Sequence, residues 1–324
     1  MFFSMTLNVL LLLLLGFFFL KQKSRAGRSH VIAPGGVTRS TSTVAADGSR
    51  STAAVLILER HSLDDVKRYL EKHGRKMPAL YRLLDMYEVD RKFPDMSDFR
   101  LGPNMFEKIL LDWIVFVDAA GNELIGHGVT TRIDWDQNVD HLPDGWQGAV
   151  RASYQDVCVD HKQPNTLVGL FILVEDRFRQ HGWANNIIEE MRRLGRTRSM
   201  ASLIIPLRPP LRYQKEYADM PMTEFAALKR EDGQPTDHWI RLHTRLGAKI
   251  IGVSDASHQH ALPLKDFYRQ IAANPIARSG YTLVQQRDGG WYKAYVDLEH
   301  EFVLIRQGCV WVQHPLSASL DIPA

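Results

Sequence analysis

The sequence predicts an α/β protein of the α+β kind: a mixed central sheet flanked by helices, with a further α+β extension at the carboxyl end. Three observations predict it. Thr166 to Val174 (TLVGLFILV) is apolar and uncharged, as a central strand buried on both faces should be. A polar turn follows, then a run from Asn185 to Arg196 with apolar residues at Ile187, Ile188, Met191 and Leu194, the spacing of one helical face. Ser202 to Leu207 (SLIIPL) is a second uncharged run that stops at Arg208-Pro-Pro, where a chain must leave a sheet.

The connection between the first strand and the helix is the most informative stretch. Phe178 to Ala184 reads FRQHGWA. A helix start exposes free backbone N–H groups, and its dipole favours negative charge. Gly182 lets the backbone approach a ligand that a Cβ would keep away. This is a place to hold an anion, although an ordinary strand–helix turn needs no more than these residues.

Composition narrows the function. The 324 residues are 45% hydrophobic and 24% charged, with a net charge of +3. That suits a globular protein and argues against nucleic acid as a partner. Cys158 and Cys309 stand far apart among apolar neighbours and read as core residues. The chain has no His-Glu-x-x-His and no spaced cysteine cluster, so no metal is expected. It also lacks the Gly-x-Ser-x-Gly elbow of a hydrolase.

In chain order, Met5 to Leu20 is almost wholly apolar and Lys21, Lys23, Arg25 and Arg28 follow. The expectation is a transmembrane anchor over 1–23, a single-pass membrane protein with its globular part facing the cytosol. A signal peptide of odd form or a mis-assigned start is the alternative. Residues 24–53 read as a flexible linker. Val55 to Glu59 predicts a strand, and Leu63 to His73, Met77 to Tyr87 and Asn104 to Ile109 read as helical. Trp113 to Val117 and Leu124 to Ile133 predict a hairpin across Asp118 to Asn122, thinned by Gly126 and Gly128. Gln147 to Gln155 is a short helix. Asp237 caps another, which ends at Gly247 before a strand from Ala248 to Val253. The extension, 255–324, carries a helix at Leu264 to Ala273 and strands at Tyr281 to Val284, Tyr292 to Val296, Phe302 to Ile305 and Cys309 to Gln313.

Arg179-x-x-Gly182-x-Ala184 resembles the acyl-CoA signature of the GNAT-like N-acyltransferases. Leu142-Pro-Asp-Gly-Trp146, Leu203-Ile-Ile-Pro-Leu-Arg-Pro209 and His243-Thr-Arg-Leu-Gly-Ala248 resemble blocks of a bacterial GNAT-like group that also carries a carboxyl-terminal extension. The resemblance covers roughly residues 80 to 315. It implies a GNAT-like domain over 54–254, with acetyl-CoA or another acyl-CoA as co-substrate and a small-molecule amine as acceptor. Leu173, Val174, Arg179, Gln180, His181, Gly182, Trp183 and Ala184 would then bind the acyl-CoA, the turn amides holding its pyrophosphate. The family's tyrosine acid is replaced here by His243, a candidate to protonate the leaving sulfur. His127 is a candidate base, with Asp160 and His161 behind it. The alternative is a catalytically inactive, membrane-tethered binding or scaffold protein of the same fold.

Overall fold

The uncharged runs are strands, and most lie where the sequence puts them. The structure is a computed structural model that describes residues 36–44, 50–61, 109–118, 124–272, 276–287 and 289–316. In order the elements are β1 (Gly36–Val44), β2 (Arg50–His61), β3 (Leu111–Asp118), β4 (Leu124–Ile133), α1 (Gly145–Ser153), β5 (Thr166–Val174), α2 (Trp183–Thr197), β6 (Ser202–Leu207), α3 (Met222–Ala227), α4 (His238–Arg245), β7 (Lys249–Pro263), α5 (Leu264–Gln270), β8 (Gly280–Gln285), β9 (Trp291–Asp297) and β10 (Phe302–His314). Strand order is β1-β2-β3-β4-β5-β6-β10-β9-β8, with β7 paired to β10. β5 and β6 run parallel, while β10 runs antiparallel to β6, so the sheet is mixed.

The described residues fall into two compact units. The first holds 36–44, 50–61, 110–118, 124–131 and 171–191. Here β1, β2, β3 and β4 form an antiparallel ladder in chain order. Alternate residues of β2, Ala53, Val55 and Ile57, are buried, as the period of a strand requires. Ile187, Ile188 and Met191 of α2 are buried as well, and Trp183 meets Phe116 edge-on at 6.0 Å. Gly126 and Gly128 now have a packing reason. A Cβ on Gly126 would strike the Leu173 carbonyl, and one on Gly128 would lie 2.7 Å from Ile187 and Met191 side-chain carbons. The thinned strand lets β5 and α2 come close.

The second unit holds 109, 132–170, 192–272, 276–287 and 289–316. Only Thr166, Leu167 and Val168 of β5 pair with β6, opposite Ser202, Leu203 and Ile204. Both strands continue beyond this short ladder. β10 gives one edge to β7 and divides the other between β9, at Phe302–Ile305, and β6, at Val310–His314. The far edge of β7 is closed by α1. The Gln147 side chain donates to the Gln259 carbonyl and accepts from the Gln259 N–H, both at 3.0 Å, standing in for a neighbouring strand. Leu262, Phe267, Ile271, Val284, Ala294, Val296, Val303 and Ile305 form the buried core of the carboxyl-terminal part.

Several expectations need correction. Gly36–Val44 and the start of β2 lie inside the stretch expected to be linker. Their Thr-, Ser- and Val-rich sequences pair in register, from Gly36 opposite Leu58 to Val44 opposite Arg50. The strands expected at Phe302 to Ile305 and Cys309 to Gln313 are one, β10, with an irregularity between Gln307 and Cys309. β7 runs through residue 254, so the expected domain boundary falls within a strand. Glu190, among the polar residues between the apolar positions of α2, is buried.

The single-pass membrane assignment is also corrected. Among the described residues no helix is long and apolar enough to cross a membrane. The expected anchor at 1–23 lies outside the described residues. So do the expected helices at Leu63 to His73 and Met77 to Tyr87, and all but the last residue of Asn104 to Ile109.

Candidate functional site

The residues expected to hold an acyl-CoA lie together on one strand–turn–helix of the first unit. Leu173 and Val174 end β5, and Val174 is half-buried. The Glu175 N–H donates to the Ile125 carbonyl at 2.9 Å and fixes the strand end to β4. A single 3-10 turn, Asp176–Phe178, leads into Arg179. The Arg179 guanidinium pairs with Asp176 at 2.8 Å and reaches the Val174 carbonyl at 3.4 Å. Gln180 and Gly182 are both left-handed, with φ of 67° and 78°. The His181 ring is anchored at 2.8 Å to the Arg179 carbonyl. Trp183 opens α2, but its indole is turned into the core, 1% exposed. It offers a ligand its backbone and not its side chain.

Two features make this helix start a favourable anion site. The backbone N–H groups of Trp183 and Ala184 find no acceptor among the described residues. The first turn of α2 carries no acidic side chain. No acidic side chain of its own first turn therefore offsets the positive end of this helix's dipole.

The other predicted residues lie elsewhere. His127 sits on β4 between the two glycines, cross-strand from Val115, and is 3% exposed. Burial pushes its imidazole down to about 4, and neither ring nitrogen has a partner among the described residues. His243, in the second unit, is fully buried on α4. Its Nδ1 lies 2.9 Å from Nε2 of His314 on β10, and Trp239 meets its ring edge-on at 5.0 Å. Burial first, and His314 second, push it down to about 3. One imidazole must donate and the other accept, so the pair is stable as two neutral rings. α4 itself is formed as the sequence indicates: the Asp237 carboxylate accepts from the Trp239 and Ile240 N–H groups, and Gly247 follows the helix with φ of 85°. Asp160 and His161 lie on an exposed loop.

No family model matches the chain. Over 124 residues it is 31% identical to an arginine N-acetyltransferase of Aspergillus versicolor, a match covering 36% of this chain and 42% of that protein. The chain thus spans less than half the length of the curated relative it matches. The mixed sheet flanked by helices is of the GNAT-like α/β kind, and the matched stretch is similar to an N-acetyltransferase. Among solved structures, a GNAT-like decarboxylase in complex with isobutyryl-CoA, GphF, aligns with a TM-score of 0.41 and 14% identity over 80% of this chain and 98% of its own. The loading GNAT-like domain of CurA from Lyngbya majuscula aligns with a TM-score of 0.38 and 15% identity, over 63% of this chain and 76% of that one.

Sequence reasoning missed two things. Gly145 is left-handed, φ 62°, and a Cβ there would collide with Ser257 of β7. The Trp146 N–H donates to Ser257 Oγ at 2.8 Å, and its indole Nε1 donates to the Leu170 carbonyl at 3.1 Å. The Leu-Pro-Asp-Gly-Trp turn therefore joins α1 to both β7 and β5. The second omission is His258 and His260 on β7, whose rings lie 5.7 Å apart. A His-x-His spacing in a strand places both on one face, and that signal was available in the sequence.

Proposed function

We propose that the protein transfers an acyl group from an acyl-CoA, acetyl-CoA in the first instance, to the nitrogen of a small-molecule amine. The observation that carries this is the start of α2: Gly182 left-handed, two backbone N–H groups without acceptors among the described residues, and no acid in the first turn. The pyrophosphate of CoA sits on the amides of Gly182, Trp183 and Ala184, with the exposed Arg179 guanidinium beside it. The pantetheine arm runs along Phe171 to Val174, where its two amides meet strand backbone in a largely apolar setting. The transition-state oxyanion is held by a backbone N–H of the same strand. The likeness to an arginine N-acetyltransferase supports transfer to nitrogen and makes L-arginine the first acceptor to try.

His243 shapes the leaving-group step. Held neutral against His314, it is poorly suited to give up a proton. A CoA thiol has an intrinsic pKa near 8.5, so the thiolate leaves with little help. His127 is a base only if the buried face of β4 opens to the amine. The same His243 geometry favours a second reading, a protein that binds acyl-CoA and does not transfer it. Thiol release from acetyl-CoA with L-arginine and a panel of primary amines separates the two. Amine-dependent release supports transfer; binding with no release from any amine supports the second reading.

A further inference from the structure

A hollow of about 340 Å³ opens in the second unit, between the turn at 139–144 and residues 252–256 of β7. Gly252 makes room for it: a Cβ there would lie 3.1 Å from a Leu142 methyl. Trp311 of β10 is the cross-strand partner of Gly252, so its indole stands on the face that the missing side chain leaves uncovered, and it lines the hollow. The acyl-CoA reading gives this place no task.

The lining is acidic. It includes Asp140, Asp144 and Asp255 and no basic side chain. None of the three forms an ion pair among the described residues, although the Arg212 charge bears on Asp255 through space. Ser254 Oγ donates to Asp144 at 2.6 Å and accepts from the Ala256 N–H at 3.2 Å, which ties the turn to β7 through one carboxylate oxygen and leaves the other. Asp255 likewise uses one oxygen, accepting from the Met222 N–H at 3.2 Å. The Asp140 carboxylate has no hydrogen bond among the described residues.

Acidic residues facing water are ordinary by themselves. The independent observation is Trp311. It is 1% exposed, and its indole Nε1 has no acceptor among the described residues. A buried indole N–H normally finds a partner. The hollow thus offers negative charge on its walls and an unused donor at its base. Among the described residues the carboxylates do not gather as three groups around a metal ion. A ligand that meets both needs carries a cationic end and, a few bonds away, an uncharged oxygen acceptor.

We infer that this hollow binds a small guanidinium compound that also carries a neutral carbonyl, the cation against Asp140 and Asp144 and the carbonyl oxygen on the Trp311 N–H. A planar guanidinium pairs with carboxylates through parallel N–H bonds and packs on an aromatic ring. A free carboxylate in place of the carbonyl is disfavoured by the three aspartates already present. Every residue of the site belongs to the second unit, and the inference does not depend on the acyl-CoA reading.

The test is calorimetry on the full chain, with no acyl-CoA present, using four probes. L-argininamide has both groups. Agmatine lacks the carbonyl, L-arginine has a carboxylate instead, and L-citrullinamide lacks the cation. L-argininamide should bind most tightly, agmatine and L-arginine about tenfold more weakly, and L-citrullinamide not measurably. Asp140→Asn and Asp144→Asn, each checked by circular dichroism, should weaken L-argininamide about tenfold. Asp140 is exposed and makes no side-chain hydrogen bond, so its variant keeps the fold. Trp311→Phe should bring L-argininamide to the level of agmatine and leave agmatine unchanged. The inference is overturned if the folded wild type fails to bind L-argininamide at about 5 mM, or binds L-citrullinamide as well. It is also overturned if the folded aspartate variants bind like the wild type, or if Trp311→Phe keeps the preference for L-argininamide. Because acyl-CoA is absent throughout, each of these failures is distinct from a failure of the acyl-CoA reading.

Discussion

α1 begins Gly145-Trp146, and α2 begins at Trp183, directly after Gly182. Both glycines are left-handed and both tryptophans are buried. In α1 the features are used up inside the protein. Ser257 fills the space beside Gly145 and accepts the Trp146 N–H, and Leu170 accepts from the indole. In α2 the tryptophan goes to the core against Phe116, and the backbone N–H groups of Trp183 and Ala184 find no acceptor among the described residues. The same glycine–tryptophan start thus serves packing in one place and, on the function proposed above, an external anion in the other. What distinguishes them is whether a neighbouring hydroxyl or carbonyl reaches the free amides, and that is a matter of tertiary contact.

The comparison can be broken most severely at Gly145. Gly145→Val adds a branched side chain where Ser257 already stands and forces a left-handed φ on a residue that resists it. A loss of about 3 kcal/mol in denaturant unfolding is expected. A loss under about 1 kcal/mol would show that α1 does not need this glycine.

A second effect depends on pH. Buried His243 and His314, pushed down to about 3 and about 4, stay neutral in the folded chain while they charge in the unfolded one. Their contribution is fully present above the unfolded value of about 6.5 and is lost as pH falls from there towards the folded values. Between pH 7.5 and pH 5 the pair should weaken folding by about 4 kcal/mol, about 2 from each imidazole. His314→Gln keeps a hydrogen-bonding partner for His243 and removes one titration, so its pH dependence should be shallower. An equal slope in both proteins would show that the pair does not govern acid sensitivity.

Trp146→Phe is milder. It keeps most of the packing and leaves the Leu170 carbonyl without its indole donor, at a cost of about 1 kcal/mol. The smallest change is Arg179→Ala. Its ion pair with Asp176 is solvent-exposed and worth little to stability, but acyl-CoA affinity should fall a few-fold if the guanidinium lies beside the phosphates.

Much of this was legible beforehand because it is local. The bounds of β5 and β6 follow from runs without charge, β4 follows from the hairpin turn before it, and the cap of α4 follows from Asp237. The turn at Gly182 was legible for the same reason. What the sequence hid depends on distant partners. His243 looked like an acid on a helix until His314, 71 residues away, took its Nδ1. Gly126 and Gly128 showed only a thinned strand, and its cause, the close approach of β5 and α2, lies in distant residues. The Thr- and Ser-rich stretch before Ala53 looked like linker because its apolar period is weak, and strand pairing with β2 overrode that.

The most direct measurement is a calorimetric titration of acetyl-CoA into the full chain, wild type and Gly182→Trp side by side. One-site binding by the wild type, weakened about 100-fold (~2.7 kcal/mol) in a variant that keeps its circular dichroism, is the predicted result. Equal binding by both proteins, or none by a folded wild type, would contradict an anion site at the start of α2.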